Sequence, residues 1–231
     1  MILAYNRRGA TPGARAKLAL AAAALSFSLI AFAGNQVEEG LSTNVQASLH
    51  RSVSDYPSPG LVFVTQAEGE AWLKEMSHRL EARITDPLTR RDFLVTVQYE
   101  ATRAGLDPQL VLGVIQHESN FRKYAVSVVG ARGFMQVMPF WVRNIGNADH
   151  DLFNLRTNLR YGCIILRYYL DIENGDMFRA LGRYNGSLGR PEYPNAVLAA
   201  MQRNWTWNPG IAKLAANVRA DTGAGSRTPM Q

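Results

Sequence analysis

Glu118 stands where an apolar side chain belongs. Val111, Val114 and Ile115 form one stripe at helical spacing, and position 118 is the next on that stripe. A carboxyl there is either a core acid paired with Arg122 or Arg132, or an acid held in a cleft for chemistry. It lies near the C-terminal end of its helix, where the macrodipole is negative. Burial and dipole both disfavour the charged form, so its pKa should rise. The dipole contributes roughly 0.3–1 kcal/mol, and desolvation should dominate. A carboxyl that keeps its proton near neutral pH can serve as general acid at a glycosidic oxygen. The other reactive types are not arranged for chemistry. His50, His78, His117 and His150 are scattered without metal-ligand spacing, so no metal is expected. Gly130–Gly133 lacks the Lys-Ser/Thr ending of a phosphate loop, and no cofactor is expected.

The elements around Glu118 read as mostly α. Trp72, Leu73, Met76 and Leu80 recur at three- and four-residue steps to about Ile84. Asp86-Pro87 and Asp107-Pro108 are two helix starts, each with Asp as N-cap and Pro at the first helical position. The first helix carries Phe93, Leu94, Val97 and Ala101 and stops at Gly105; the second runs to Glu118 or Phe121. A small-residue stretch, Ala125 to Gly133, follows. Pro139 opens a short helix that ends at Gly146. Leu155 to Asp171 is the longest clear helix, Asp176 caps one that reaches Arg183, and a last one runs from about Tyr193 to Asn204, after a loop at 184–189. With no internal repeat and no strand-helix rhythm, the expected architecture is one domain of several short helices around one core.

The N-terminus is set apart by composition. Arg7, Arg8, Arg15 and Lys17 precede an apolar run from Leu18, and Ala31-Phe32-Ala33 has the form of a cleavage site. Residues 1–33 thus read as a secretory signal peptide. Leu18 to Ala33 is 16 residues, short of the roughly 20 of a spanning helix, so no stable membrane span is expected after cleavage, although retention as an anchor stays open. Residues 34–66 read as a linker or poorly ordered arm, 67–207 as the domain, and 208–231 as a flexible tail. The chain has 25 basic and 19 acidic residues, net +6. Removal of 1–33 takes four bases and no acid, leaving 21 against 19, net +2. Bulk charge therefore gives no support for nucleic acid as a partner. Cys163, the single cysteine, lies in an apolar helical run and reads as a buried small hydrophobe.

The order of short blocks adds to this. Glu118-Ser119, Ala125-Val126-Ser127, Gly133-Phe134-Met135-Gln136-x-Met138-Pro139, Asn158-Leu159-Arg160-x-Gly162 and Tyr184-Asn185 together resemble the soluble lytic transglycosylase (SLT, goose-lysozyme-like) family over about Asp107 to Trp205. Two blocks depart from it: Gly-Phe-Met-Gln replaces the usual Gly-Leu-Met-Gln, and Arg183 stands where the usual block has Ala. The resemblance implies a lysozyme-like fold and an enzyme of the periplasm. It would cleave the β-1,4 bond between N-acetylmuramic acid and N-acetylglucosamine in peptidoglycan strands. Glu118 would act as acid and then as base, closing a 1,6-anhydro ring. Tyr184 would hydrogen-bond Glu118. Ser119 and Ser127 would be polar neighbours of the acid or the sugar. Met135 and Gln136 would line saccharide subsites with Asn185 close by, while Met138 is taken as core.

No second Asp or Glu occurs from 119 to 140, which agrees with a one-acid scheme rather than the paired carboxylates of hydrolysis. Asp149, Asp151 and Glu192 remain open as partners from elsewhere. The alternatives are a muramidase on the same fold and a non-catalytic glycan-binding or secretion-associated module. Cell-wall or secretion machinery is the further partner class.

Overall fold

The computed structural model describes residues 36–54, 59–63, 65–208 and 210. The signal-peptide and tail readings, apart from residues 208 and 210, lie outside them. The described residues all fall within one compact unit, 31–231. They form eight α-helices, α1 (Thr43–Ser54), α2 (Gln66–Leu80), α3 (Pro87–Arg103), α4 (Pro108–Ser119), α5 (Phe140–Ile145), α6 (Leu155–Ile172), α7 (Met177–Asn185) and α8 (Glu192–Ala200), with a π turn at Met201–Trp205. Among these residues there is no strand, only isolated bridges that join Arg132 to Val126 and to Val137. The fold is mostly α, as expected.

Local chemistry sets the helix starts. Asp86 Oδ2 accepts from the Thr89 amide at 2.7 Å and Asp107 Oδ1 from the Gln109 amide at 2.8 Å, with Pro87 and Pro108 as the first helical residues. Asp176 and Asn154 cap α7 and α6 in the same way. Tertiary packing sets the rest. Helix α4 is buried almost all round, at Leu110 to Ile115 and again at Glu118 and Ser119, because it runs through the core between α3, α8 and the π turn. The amphipathic α6 packs its buried side on α3 and α7. Cys163 is buried and unpaired, a core residue.

One reading is corrected here. Much of 34–66 is not a linker. Thr43–Ser54 is helical, with Leu49 and Val53 buried. It is fastened by groups distant in sequence. The Arg103 guanidinium donates to Ser52 O at 2.6 Å, and His50 Nδ1 lies 3.1 Å from Ile145 O. Val62 is held through both backbone groups by the Gln98 side chain, at 2.8 and 2.6 Å.

Candidate active site

Glu118 is in the last turn of α4. The helix ends there because Asn120 and Phe121 both take left-handed backbone angles, φ 48° and 64°. This is strained for an aromatic residue, and it is held by burial of Phe121 against Phe93 and Trp205. The Ser119 hydroxyl then fastens the helix end to the next segment, donating to Phe134 O at 2.7 Å, with Ile115 O at 3.2 Å. That segment, Gly133–Gln136, is a tight turn pinned by Asn158 of α6. Asn158 Oδ1 accepts from the Met135 amide at 2.8 Å, while its Nδ2 donates to Arg132 O and Leu152 O, both at 2.8 Å. Gly133 is required: its φ is 74°, and a Cβ there would lie 2.4 Å from Asn158 Nδ2. Gly162 is required for a different reason, since a Cβ would meet Met135 Sδ at 2.4 Å.

The acid itself is 4% exposed. Tyr193 of α8 donates its hydroxyl to Glu118 Oε1 at 2.5 Å. Oε2 is buried and has no hydrogen-bond partner among the described residues. Burial pushes the Glu118 pKa up to about 8, and the Tyr193 bond draws it partly back. Because Tyr193 donates to Oε1, a proton on the carboxyl belongs on Oε2, the oxygen left unengaged. Tyr193 is in turn braced by His117, whose ring meets it edge-on with centroids 5.0 Å apart. Burial lowers the His117 pKa, so this neighbour is neutral at pH 7. The arrangement is an acid whose protonated form is favoured by burial, hydrogen-bonded to a phenol that a neutral imidazole braces.

Residues 96–196 match the family described as Transglycosylase SLT domain. Over these residues, a little under half of the chain, the chain is similar to the SLT transglycosylase family. The transglycosylase of Enterobacteria phage PRD1 is 29% identical over 140 residues, covering 58% of this chain and 52% of that protein. A membrane-bound lytic murein transglycosylase C of Haemophilus influenzae is 31% identical over 115 residues, 43% of this chain and 32% of the relative. Its counterpart in Mannheimia succiniciproducens is 39% identical over 66 residues, 29% and 17%. The matched parts thus span about half or less of these relatives. The helical architecture agrees with the lysozyme-like SLT fold.

Within this region, the structure places several residues differently from the expected roles. Tyr184 does not bond Glu118. Its hydroxyl donates to Met135 O at 2.7 Å, where it braces the turn behind the acid, and Tyr193 takes the orienting position. Met135 is 0% exposed, packed into Gly162. Met138 is partly buried and packs against the core, as expected of a core residue. Gln136 is also buried, with φ 48°, and its Nε2 donates to Ala125 O and Gly133 O at 3.1 and 2.9 Å. It shapes the loop from within. Ser119 is tied to backbone as described. Ser127 is half-buried, its Oγ accepting from the Ala131 amide at 3.1 Å, so it closes the small-residue loop. Asn185 ends α7 and donates to Ser187 Oγ at 3.1 Å, leaving a buried Oδ1 without a partner. Tyr184 and Asn185 are therefore helical, where a loop was expected.

Tyr193 was missed by sequence reasoning. The Pro-Glu-Tyr-Pro context marks a helix start, and nothing local says that the aromatic faces an acid 75 positions earlier. Among the described residues no cluster of His, Cys, Asp and Glu could hold a metal ion, and no helix is long and apolar enough to cross a membrane.

Proposed function

We propose that the chain is a peptidoglycan lytic transglycosylase of the cell envelope, with Glu118 as its acid and then its base. The observation that carries this reading is the state of Glu118: buried, accompanied by a tyrosine rather than a cation, with a pKa of about 8 and a free Oε2. The match of residues 96–196 to the SLT transglycosylase family supports the substrate class, and the murein named in two relatives agrees with it. Secretory composition at residues 1–33 supports a periplasmic location.

In this scheme Glu118 Oε2–H protonates the glycosidic oxygen as the C1–O bond breaks, and the N-acetylglucosamine end leaves as an alcohol. The muramyl 2-acetamido oxygen takes up the electron deficit at C1, forming a cyclic oxazolinium ion. Glu118, now ionised, removes the proton from the muramyl 6-hydroxyl. O6 closes on C1, the acetamido oxygen is released, and the carboxyl is back in its starting state. No water enters the bond. Tyr193 keeps Oε1 occupied, so the same oxygen gives and takes the proton.

Mass spectrometry of products from purified sacculi tests this. Non-reducing release of 1,6-anhydromuramyl ends is the expected result. Reducing ends would assign the reaction to a muramidase. No cleavage by a folded chain would leave a non-catalytic glycan-binding module.

A further inference from the structure

The first described residues do not drift away from the domain. Gln36 is 5% exposed and its Oε1 accepts from Trp141 Nε1 at 2.8 Å, across 105 positions. Glu38 Oε2 lies 3.4 Å from Arg143 Nη2, and its Oε1 accepts from Asn144 Nδ2 at 3.1 Å. Glu39 Oε1 lies 3.3 Å from Arg183 Nη1. These contacts fall on α5 and on the last turn of α7. Trp141 and Arg143 are on α5, just after Met138-Pro139. Arg183 immediately precedes Tyr184, whose hydroxyl holds the Met135 turn.

Residues 36–39 thus present one amide carbonyl and two carboxylates to an indole N–H and two guanidinium groups. A muramyl peptide carries the same set of groups: acetamido carbonyls on its sugars and carboxylates on its stem. We propose that Gln36, Glu38 and Glu39 form a strap that occupies, from within the chain, a muramyl-peptide subsite made by Trp141, Arg143 and Arg183, and that the strap must leave before the glycan enters. The proposal rests on the peptidoglycan reading of the previous section.

The hold on the strap is weak where the hold on its anchor is strong. Glu38 and Glu39 are about half exposed (50% and 49%) in their ion pairs, and exposed pairs contribute little. Gln36 Nε2 is buried without a hydrogen-bond partner, an unfavourable state that a better-fitting ligand would relieve. By contrast α1, which begins three residues after Gly40, is fixed by the Gln46 donation to Asn144 O at 2.6 Å, by the Arg103 bond to Ser52 O and by buried Leu49 and Val53. Gly40, with open space at its Cβ position, lies between the strap and α1. Arg183 stays ordered when Glu39 leaves, because Glu173 holds its Nε. The subsite is therefore preformed beneath the strap, and Arg183, the residue that departs from the usual family block, gains a role in recognising anionic stems.

The test compares the full chain with its Gln36→Ala, Glu38→Gln, Glu39→Gln variant. Binding of a soluble disaccharide tetrapeptide and of a chitooligosaccharide, which has no carboxylate, is measured by calorimetry, and release of anhydromuropeptides from sacculi is followed in parallel. The variant is expected to bind the disaccharide tetrapeptide roughly five- to tenfold more tightly, since the binding-competent fraction rises, with a smaller gain for the chitooligosaccharide. Adding Arg143→Gln and Arg183→Gln should erase the difference between the two ligands. If the triple variant does not fold, Glu39→Gln alone should show about a twofold gain. Equal or weaker binding in the folded variant overturns the strap. Tighter binding with no anhydro product in either chain leaves the strap standing and removes the lyase reading. Equal binding with equal cleavage does the reverse.

Discussion

Glu100 and Glu118 are both helical carboxylates removed from solvent, at 1% and 4% exposure, yet their partners are opposite in kind. Three guanidinium groups surround Glu100: Arg160 at 3.0 Å, Arg156 at 3.4 Å and Arg103 at 3.5 Å. Arg160 is itself buried. Glu118 has no ion pair among the described residues. Arg122 and Arg132, the two partners weighed for it from the sequence, are engaged elsewhere. Arg122 donates to Ser119 O at 3.0 Å, and the Arg132 guanidinium lies over the Phe153 ring at 5.9 Å. Burial is common to both sites, so burial cannot be what marks a reactive acid. The partners differ. A buried carboxylate with cations can remain charged and knit elements together; one with only a phenol beside it retains its proton. The paired-acid alternative that the sequence leaves open describes Glu100 and not Glu118.

The contrast is tested most severely by removing the charge from each. Glu118→Gln should lower peptidoglycan cleavage by about 10³-fold while leaving the unfolding midpoint unchanged or higher, because a buried ionisable group is replaced by a neutral one of the same shape. Retained cleavage in zymography and product assays would remove Glu118 from the chemistry. Glu100→Gln should do the opposite. It strands three guanidinium groups, of which Arg156 already has a buried Nη2 without a hydrogen-bond partner, and should cost about 3–5 kcal/mol in urea unfolding. Cleavage per folded molecule should persist. A destabilisation below about 1 kcal/mol would mean that the cluster behaves like a surface pair.

The same two variants separate the pH responses. The Glu118 pKa is raised in the folded chain, from 4.5 to about 8. Between those values the folded state binds more protons than the unfolded one, so stability falls as pH rises and levels off above about 8. The full drop corresponds to roughly 3–5 kcal/mol. Denaturant unfolding at pH 5 and pH 8 should show a larger loss for the unaltered chain than for Glu118→Gln. Parallel losses in the two would show that Glu118 titrates at an ordinary value. Activity should likewise fall as pH rises through about 8, where the acid loses its proton.

How much of this was legible beforehand differs by the range of the signal. Helices α3 and α4 were readable because Asp86-Pro87 and Asp107-Pro108 carry their own caps. Glu118 was readable because a carboxyl on an apolar stripe is a local anomaly. Helix α1 was not, since its segment is polar and its anchors, Arg103 and Ile145, lie 51 and 95 positions away from their partners in it. The full burial of Met135 was not legible because the turn that follows it passes through Gln136 at φ 48°, which breaks any helical or strand period. Tyr184 and Tyr193 both stand near the acid, and only the packing of α8 against α4 decides which phenol reaches it.

That last distinction supports the finest prediction. The Tyr193 bond favours the ionised form of Glu118 and so draws its pKa down against burial. Tyr193→Phe keeps the ring against His117 and removes only the hydroxyl. The Glu118 pKa should then rise above about 8, moving the alkaline limb of kcat/KM upward by up to about one pH unit. The rate at the optimum should fall about tenfold, because neither carboxyl oxygen is fixed and the proton is no longer confined to Oε2. Tyr184→Phe removes a bond to Met135 O instead, so it should lower the unfolding free energy by about 1 kcal/mol with the alkaline limb in place. If the limb moves in Tyr184→Phe and not in Tyr193→Phe, the orienting role returns to Tyr184, and the packing of α8 would have to differ in solution.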